Sequence, residues 1–194
     1  MALVGFKRMT IRVLDGEATP TLGKNLFVVE GKTGEGATRT AKITGLSSDP
    51  VKTYGSDVAY YTSNRGVGDV KMEMTAVDIP HMVLAKILGH VVKDEIVYIG
   101  EDSAAPLCSV MLESKTANGT KAQVGFFKGR FSMDAEEFET QKEKQEELPD
   151  DNLSFSAIAS DDEEIKGNYY GKYIGNDEEK IKKLKGQLKM VAAG

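Results

Sequence analysis

Lysine beside glycine, two histidines, one cysteine and clustered acids are the side chains of this sequence that could do chemistry. Gly31-Lys32-Thr33 matches the end of a phosphate-binding loop, in which backbone N–H groups cradle phosphates and a lysine reaches the terminal ones. That loop needs a glycine five positions before Gly31, where Leu26 stands, and an apolar helix after it, which is lacking. His81 and His90 lie nine positions apart, with no cysteine or carboxylate at a ligand spacing. They read as a helix-surface and a helix-end residue. Cys108 sits in the apolar run Leu107-Cys108-Ser109-Val110-Met111-Leu112 and reads as a small core residue, not a nucleophile. No Gly-x-Ser-x-Gly elbow supports a serine triad. Asp161-Asp162-Glu163-Glu164 lacks the spaced oxygen pattern of a calcium loop and reads as a solvated turn. A hydrolase with paired carboxylates remains open on acidic content alone, with no pair to name. The sequence therefore predicts no catalytic residue, no cofactor and no metal, and a protein that is not an enzyme.

What must position these residues is a chain of 194 residues, 40% hydrophobic and 28% charged, which suits one ordinary domain with extra arms. The net charge of -5 argues against gripping nucleic acid, because counterion release needs a basic patch. One cysteine allows no intrachain disulfide, so packing or assembly must supply stability. No run approaches the roughly 18 apolar residues of a membrane span. At the start, Lys7 and Arg8 follow a short apolar patch, the wrong order for a signal peptide. The expectation is a protein made and used without a secretion signal.

Strands are predicted over 8–14, 26–29, 38–46, 69–77, 95–99, 107–115, 121–133 and 153–159. The clearest is 69–77, where Val70, Met72, Met74 and Ala76 alternate with Asp69, Lys71, Glu73 and Thr75. In 38–46, Thr40, Lys42 and Thr44 alternate with Ala41, Ile43 and Gly45. Asn118-Gly119 predicts a tight hairpin turn, since both residues tolerate positive φ. A helix is predicted over 79–88, with Asp78 as N-cap, Pro80 in the first turn and Gly89 as stop. Its packed face is traced by Ile79, Met82, Val83, Lys86 and Ile87. A weaker C-terminal helix carries Ile181, Leu184 and Leu188, with Asn176 as its cap. Residues 47–68 show no sustained period yet hold Tyr54, Tyr60 and Tyr61, and read as a long functional loop. Residues 134–147 are ambiguous. As a strand they place Glu137, Glu139 and Glu143 on one face. The sum is a mainly β protein, a β-sandwich or barrel-like sheet pair with one flanking α-helix.

Four stretches then form a pattern. They are Thr53-Tyr54-Gly55-Ser56-Asp57-Val58-Ala59-Tyr60-Tyr61, Gly66-Val67-Gly68-Asp69-Val70-Lys71-Met72-Glu73-Met74, the helix boundaries Asp78-Ile79-Pro80 and Ile87-Leu88-Gly89, and Phe126-Phe127-Lys128-Gly129-Arg130-Phe131-Ser132 with Glu137-Phe138-Glu139-Thr140. In this order they resemble the major tail protein, or tail tube protein, family of long-tailed non-contractile bacteriophages. The resemblance runs over roughly 5–160, and the acidic richness of 134–147 departs from it. It implies a single tail-tube domain over 1–194, with a long loop at 47–68 and a C-terminal extension from about 166. It further implies a structural virion protein. The resemblance implies hexameric rings, joined through their inner sheets and stacked into a conduit through which DNA is expected to pass without specific binding. It also implies that the loop reaches a neighbouring ring, with Tyr54, Asp57, Tyr60 and Tyr61 as its expected contacts. Strand alternation inside such a barrel gives Thr40, Lys42, Thr44, Asp69, Lys71, Glu73, Glu137, Glu139 and Glu143 as lumen-facing, with acid in excess. Expected partners are copies of the chain itself and the tape measure, tail tip and tail terminator proteins, with no membrane. Expected locations are the virion tail and, during assembly, the host cytoplasm. The competing reading is a monomeric β-sandwich binding or adhesion module on a virion.

Overall fold

A computed structural model describes residues 2–136, 140 and 148–191. In chain order the elements are β1 (Leu3–Val13), β2 (Leu26–Val29), β3 (Ala37–Thr44), β4 (Val51–Gly55), β5 (Val58–Ser63), β6 (Lys71–Val77), α1 (His81–Leu88), β7 (Val91–Lys93), β8 (Ile96–Tyr98), β9 (Cys108–Thr116), β10 (Lys121–Ser132), β11 (Asp150–Ala157), β12 (Tyr170–Ile174) and α2 (Glu178–Gln187). The fold is mainly β, with antiparallel pairing throughout the main sheet.

That sheet has eight strands in the order β2-β1-β9-β10-β11-β6-β3, with β12 beside β10. β10 serves two layers. Its first half, Ala122–Phe126, pairs with β12, and its second half, Gly129–Ser132, pairs with β11. An irregularity between Phe126 and Gly129 marks the change. The far ends of the sheet curl toward each other, since Thr38 Oγ1 donates to the Phe6 carbonyl at 2.7 Å. Between the layers lies the main core, with Met9, Ile11, Val110, Leu112 and Phe126 facing Met72, Met74, Leu153 and Phe155.

A second core lies on the outer face of the first layer. Met111 and Phe127 pack there against Ile165, Leu184, Leu188 and Met190. α2 therefore covers strands that are apolar on both faces, which is why β9 and β10 are buried almost without interruption. The stretch beyond about 166 is thus β12, α2 and the turn after it.

Several sequence expectations change. Asp78 is not a helix cap: its φ is 56°, Pro80 holds the N-cap position, and no side chain caps α1. The Ile79 N–H is met instead by the Asp151 carboxylate at 3.0 Å. Lys86 is the polar margin of the packed face of α1, with Nζ 5.5 Å from the centre of the buried Phe27 ring. It is exposed, and its Nζ donates to the Gly23 carbonyl at 3.0 Å, while Ala85, Ile87 and Leu88 are buried. Asp177, not Asn176, caps α2 by accepting the Glu179 and Lys180 N–H groups. Asn176 accepts from the Lys121 N–H at 3.2 Å. Most importantly, 47–68 is not structureless, because it contains the β4–β5 hairpin.

Candidate assembly surfaces: an exposed arm and a polar sheet face

The residues with chemical potential are absorbed by structure. Lys32 lies in a turn and pairs with Glu30 at 2.7 Å and Glu35 at 3.8 Å. Cys108 is fully buried, and burial pushes its thiol up to about 12. His81 is exposed at the start of α1, and the His90 N–H closes its end on the Ala85 carbonyl at 2.8 Å. In the acidic cluster, Asp161 pairs with Lys128 at 2.8 Å, Glu163 with Lys166 at 3.1 Å and Glu164 with Lys183 at 2.7 Å. Among the described residues no group of three or more His, Cys, Asp or Glu is placed to hold a metal.

The outstanding surface is the hairpin. β3 and β6 are antiparallel neighbours in the main sheet, so the chain between them leaves and returns at one place. β4 and β5 extend that connection as an arm that, among the described residues, is hydrogen-bonded to no other strand. At its tip, Ser56 (φ 51°) and Asp57 (φ 63°) are both left-handed, the two-residue turn whose twist suits a hairpin. Asp tolerates that region better than most residues, which accounts for Asp57 locally. An irregularity between Thr53 and Tyr54 breaks the alternation, and Tyr61 and Tyr54 lie on opposite faces by register. Tyr60 is 83% exposed, Tyr54 69%, Val51 67% and Tyr61 58%. A two-stranded hairpin is marginal in water, and this one shows apolar side chains on both faces.

The root of the arm is fixed. The Gly68 N–H donates to the Gly45 carbonyl at 2.9 Å, and Ser48 Oγ donates to Asn64 Oδ1 and the Arg65 carbonyl at 3.2 and 3.0 Å. Gly45 has φ 74°, and a Cβ there would stand 1.9 Å from the Asp69 carbonyl oxygen. Only glycine fits that crossing.

The second surface is a polar sheet face. Register sets Thr40 opposite Thr75, Lys42 opposite Glu73 and Thr44 opposite Lys71, so these side chains share one face. Thr40 and Thr75 are linked hydroxyl to hydroxyl at 2.7 Å. Asp69 precedes β6 and pairs with Lys71 at 2.5 Å, which raises the Lys71 pKa. The same face continues through Asn152, Ser154 and Ser156 of β11 to Arg130 and Ser132 of β10. None of those five is among the expected lumen-facing residues, although Arg130 and Ser132 alternate with Gly129, Phe131 and Met133, and Asn152, Ser154 and Ser156 with Leu153 and Phe155. Along this face Lys42, Lys71 and Arg130 stand with Asp69, Glu73 and Asp150, and Arg39 pairs with Asp150 at 3.0 Å, so its described part carries no excess of acid. Glu137, Glu139 and Glu143 lie outside the described residues, and the expected acid excess depends on them.

β3 ends the sheet, and Thr40, Ala41 and Lys42 are exposed on it. It carries an irregularity between Thr38 and Thr40 and the charges of Arg39 and Lys42, features that restrain indiscriminate pairing at an open edge. The molecule thus shows an apolar arm, an open strand edge and a broad face of short polar side chains. No curated protein matches the chain. The family model of the phage tail tube protein matches residues 1–186, and the chain belongs to that family, a structural component of the virion tail.

Proposed function

We propose that this chain forms hexameric rings that stack into the tail tube and that the tube carries DNA into the host. The observation behind this reading is the β4–β5 arm, whose valines and tyrosines stay exposed among the described residues. Tyr54, Tyr60 and Tyr61 act as anchors on the neighbouring ring, in keeping with the role of tyrosine at interfaces, and Asp57 holds the tip. The open edge of β3 joins the inner sheet of one copy to the next. The polar face lines the lumen with Thr40, Lys42, Thr44, Asp69, Lys71 and Glu73. Glu137, Glu139 and Glu143 add acid to that wall, which disfavours adhesion of phosphates. The whole chain acts as one tail-tube unit, assembled in the host cytoplasm, with tape measure, tail tip and tail terminator proteins as partners.

Deleting Val51–Arg65 tests the reading. The expected product is a folded monomer that does not polymerise, followed by size-exclusion chromatography and negative-stain microscopy. Normal tubes from the deletion would defeat the role of the arm. If the intact chain with its tail partners stays a compact monomer, the binding or adhesion module takes its place.

A further inference from the structure

An arm needs a receiver. Contacts that stack identical rings in one direction are heterologous, so the receiving surface lies on the same chain that carries the arm. Apart from the arm and its root, the exposed large apolar residues include Leu3 and Val4 at the start of β1, and the separate positions Leu22, Leu148 and Ile158. Among the described residues the largest further group is Val92, Ile96, Tyr98 and Ile99. This is the β7–β8 hairpin, turned by Asp94 (φ 49°) and Glu95 (φ 64°). Register sets Ile96 opposite Lys93 and Tyr98 opposite Val91, so Ile96 and Tyr98 share a face. Ile96 is 55% exposed, Tyr98 50% and Ile99 71%.

Like the arm, this hairpin is a two-stranded sheet that pairs with no other strand among the described residues. Both therefore present unpaired outer edges, and one can add to the other by strand augmentation. The second hairpin is acidic, and the arm offers it one strand cation. Lys52 is the only charged residue within the strands of the arm, Asp57 stands at its tip, and Asp49 and Arg65 flank its root. Around the second hairpin, Asp94, Glu95, Glu101 and Asp102 outweigh Lys93. Within one chain the two do not pair: the arm joins β6 at its first residue, while the second hairpin follows α1 beyond its last.

We infer that the β7–β8 hairpin with Ile99 is the socket for the β4–β5 arm of a second copy. Tyr60 and Tyr61 pack on Ile96, Tyr98 and Ile99, and Lys52 meets the acids of the socket. This rests on the proposed role of the arm in assembly. Because Cys108 is buried, single cysteines introduced elsewhere can be read without removing it.

Two variants, Tyr60→Cys and Ile96→Cys, would be mixed, assembled and mildly oxidised. The expected product is a covalent dimer that forms in the mixture and in neither variant alone. Tubes from the mixture that give no such dimer, or a dimer from either variant alone, would overturn the socket and leave the tube reading standing. A second variant, Ile96→Asp with Ile99→Asp, is expected to stay folded and monomeric by circular dichroism and chromatography. Tubes from it would also overturn the proposal. Failure of the unmodified chain and its tail partners to assemble at all would overturn the tube reading, and the socket with it.

Discussion

Arg12 is buried to 1% exposure among apolar neighbours, yet its guanidinium is well supplied. It donates to the carbonyls of Val13 and Glu17 at 2.6 Å and of Lys189 at 3.2 Å, with the Asp15 carboxylate at 3.3 Å. Arg12→Ala should cost about 3–5 kcal/mol, because it strands buried carbonyls and removes the partner of Asp15. Arg12→Lys should recover little, since a point charge cannot span that fork. Urea unfolding of purified monomers would measure both. Asp151 behaves in the opposite way. Burial raises its pKa, and Asp78, Asp150 and Glu136 push in the same direction, against the pull of the Ile79 N–H. The folded state therefore holds this proton more tightly than the unfolded chain. The contribution is favourable below the unfolded value and is lost as pH rises through the raised folded value. Asp151→Asn keeps an acceptor for Ile79 and removes the charge. It should raise the melting temperature at neutral pH, with the gain shrinking as the pH falls toward the ordinary carboxylate range. None of this was legible beforehand. Arg12 reads in the sequence as one polar position in a strand, and the C-terminal carbonyl that meets it is remote in the chain.

At the scale of elements, legibility followed periodicity. The alternation from Lys71 to Val77 gave β6 and its buried methionines correctly, and with 38–46 it brought Thr40, Lys42, Thr44, Lys71 and Glu73 onto one face. Asn118-Gly119 does turn the β9–β10 hairpin, with Gly119 at φ 83°. The arm escaped for two physical reasons. Its turn, Ser56-Asp57, lacks glycine, and the irregularity at Tyr54 scrambles the period of two. A strand with both faces exposed also has no reason to alternate. β12 was missed because Tyr170–Ile174 is five residues long and interrupted by Gly171. The caps of α1 and α2 were misplaced because competing acceptors stand nearby. Asp177 follows Asn176, and Asp151 arrives from another strand.

For the whole molecule, if the polar face lines the tube as proposed, its balance of charge decides how DNA would slide along it. Its described part carries no excess of acid, and in the proposed tube Glu137, Glu139 and Glu143 would have to supply one. Replacing Glu73, Glu137 and Glu139 together by Lys should leave tubes intact and slow DNA ejection from virions carrying them. Six-fold repetition and a narrow wall would multiply the change. Ejection at the normal rate, with the three lysines confirmed in the tube, would count against a lumenal role for them.

The bond from Arg12 to the Lys189 carbonyl spans 177 positions, and it has a consequence in time. The arm is finished at Ser63, while the outer layer over Met111 and Phe127 waits for Leu188 and Met190. At synthesis rates of about 5–20 residues per second, that stretch takes roughly 6–25 s. During that interval every growing chain shows its exposed apolar hairpin before the outer layer can close. Contacts this distant along the chain also form slowly. Ribosomes crowded on one message would hold many such arms side by side. Newly made chains are therefore most exposed to mispairing while still attached to the ribosome, and a message cut short before Leu188 would release an arm without a finished body behind it.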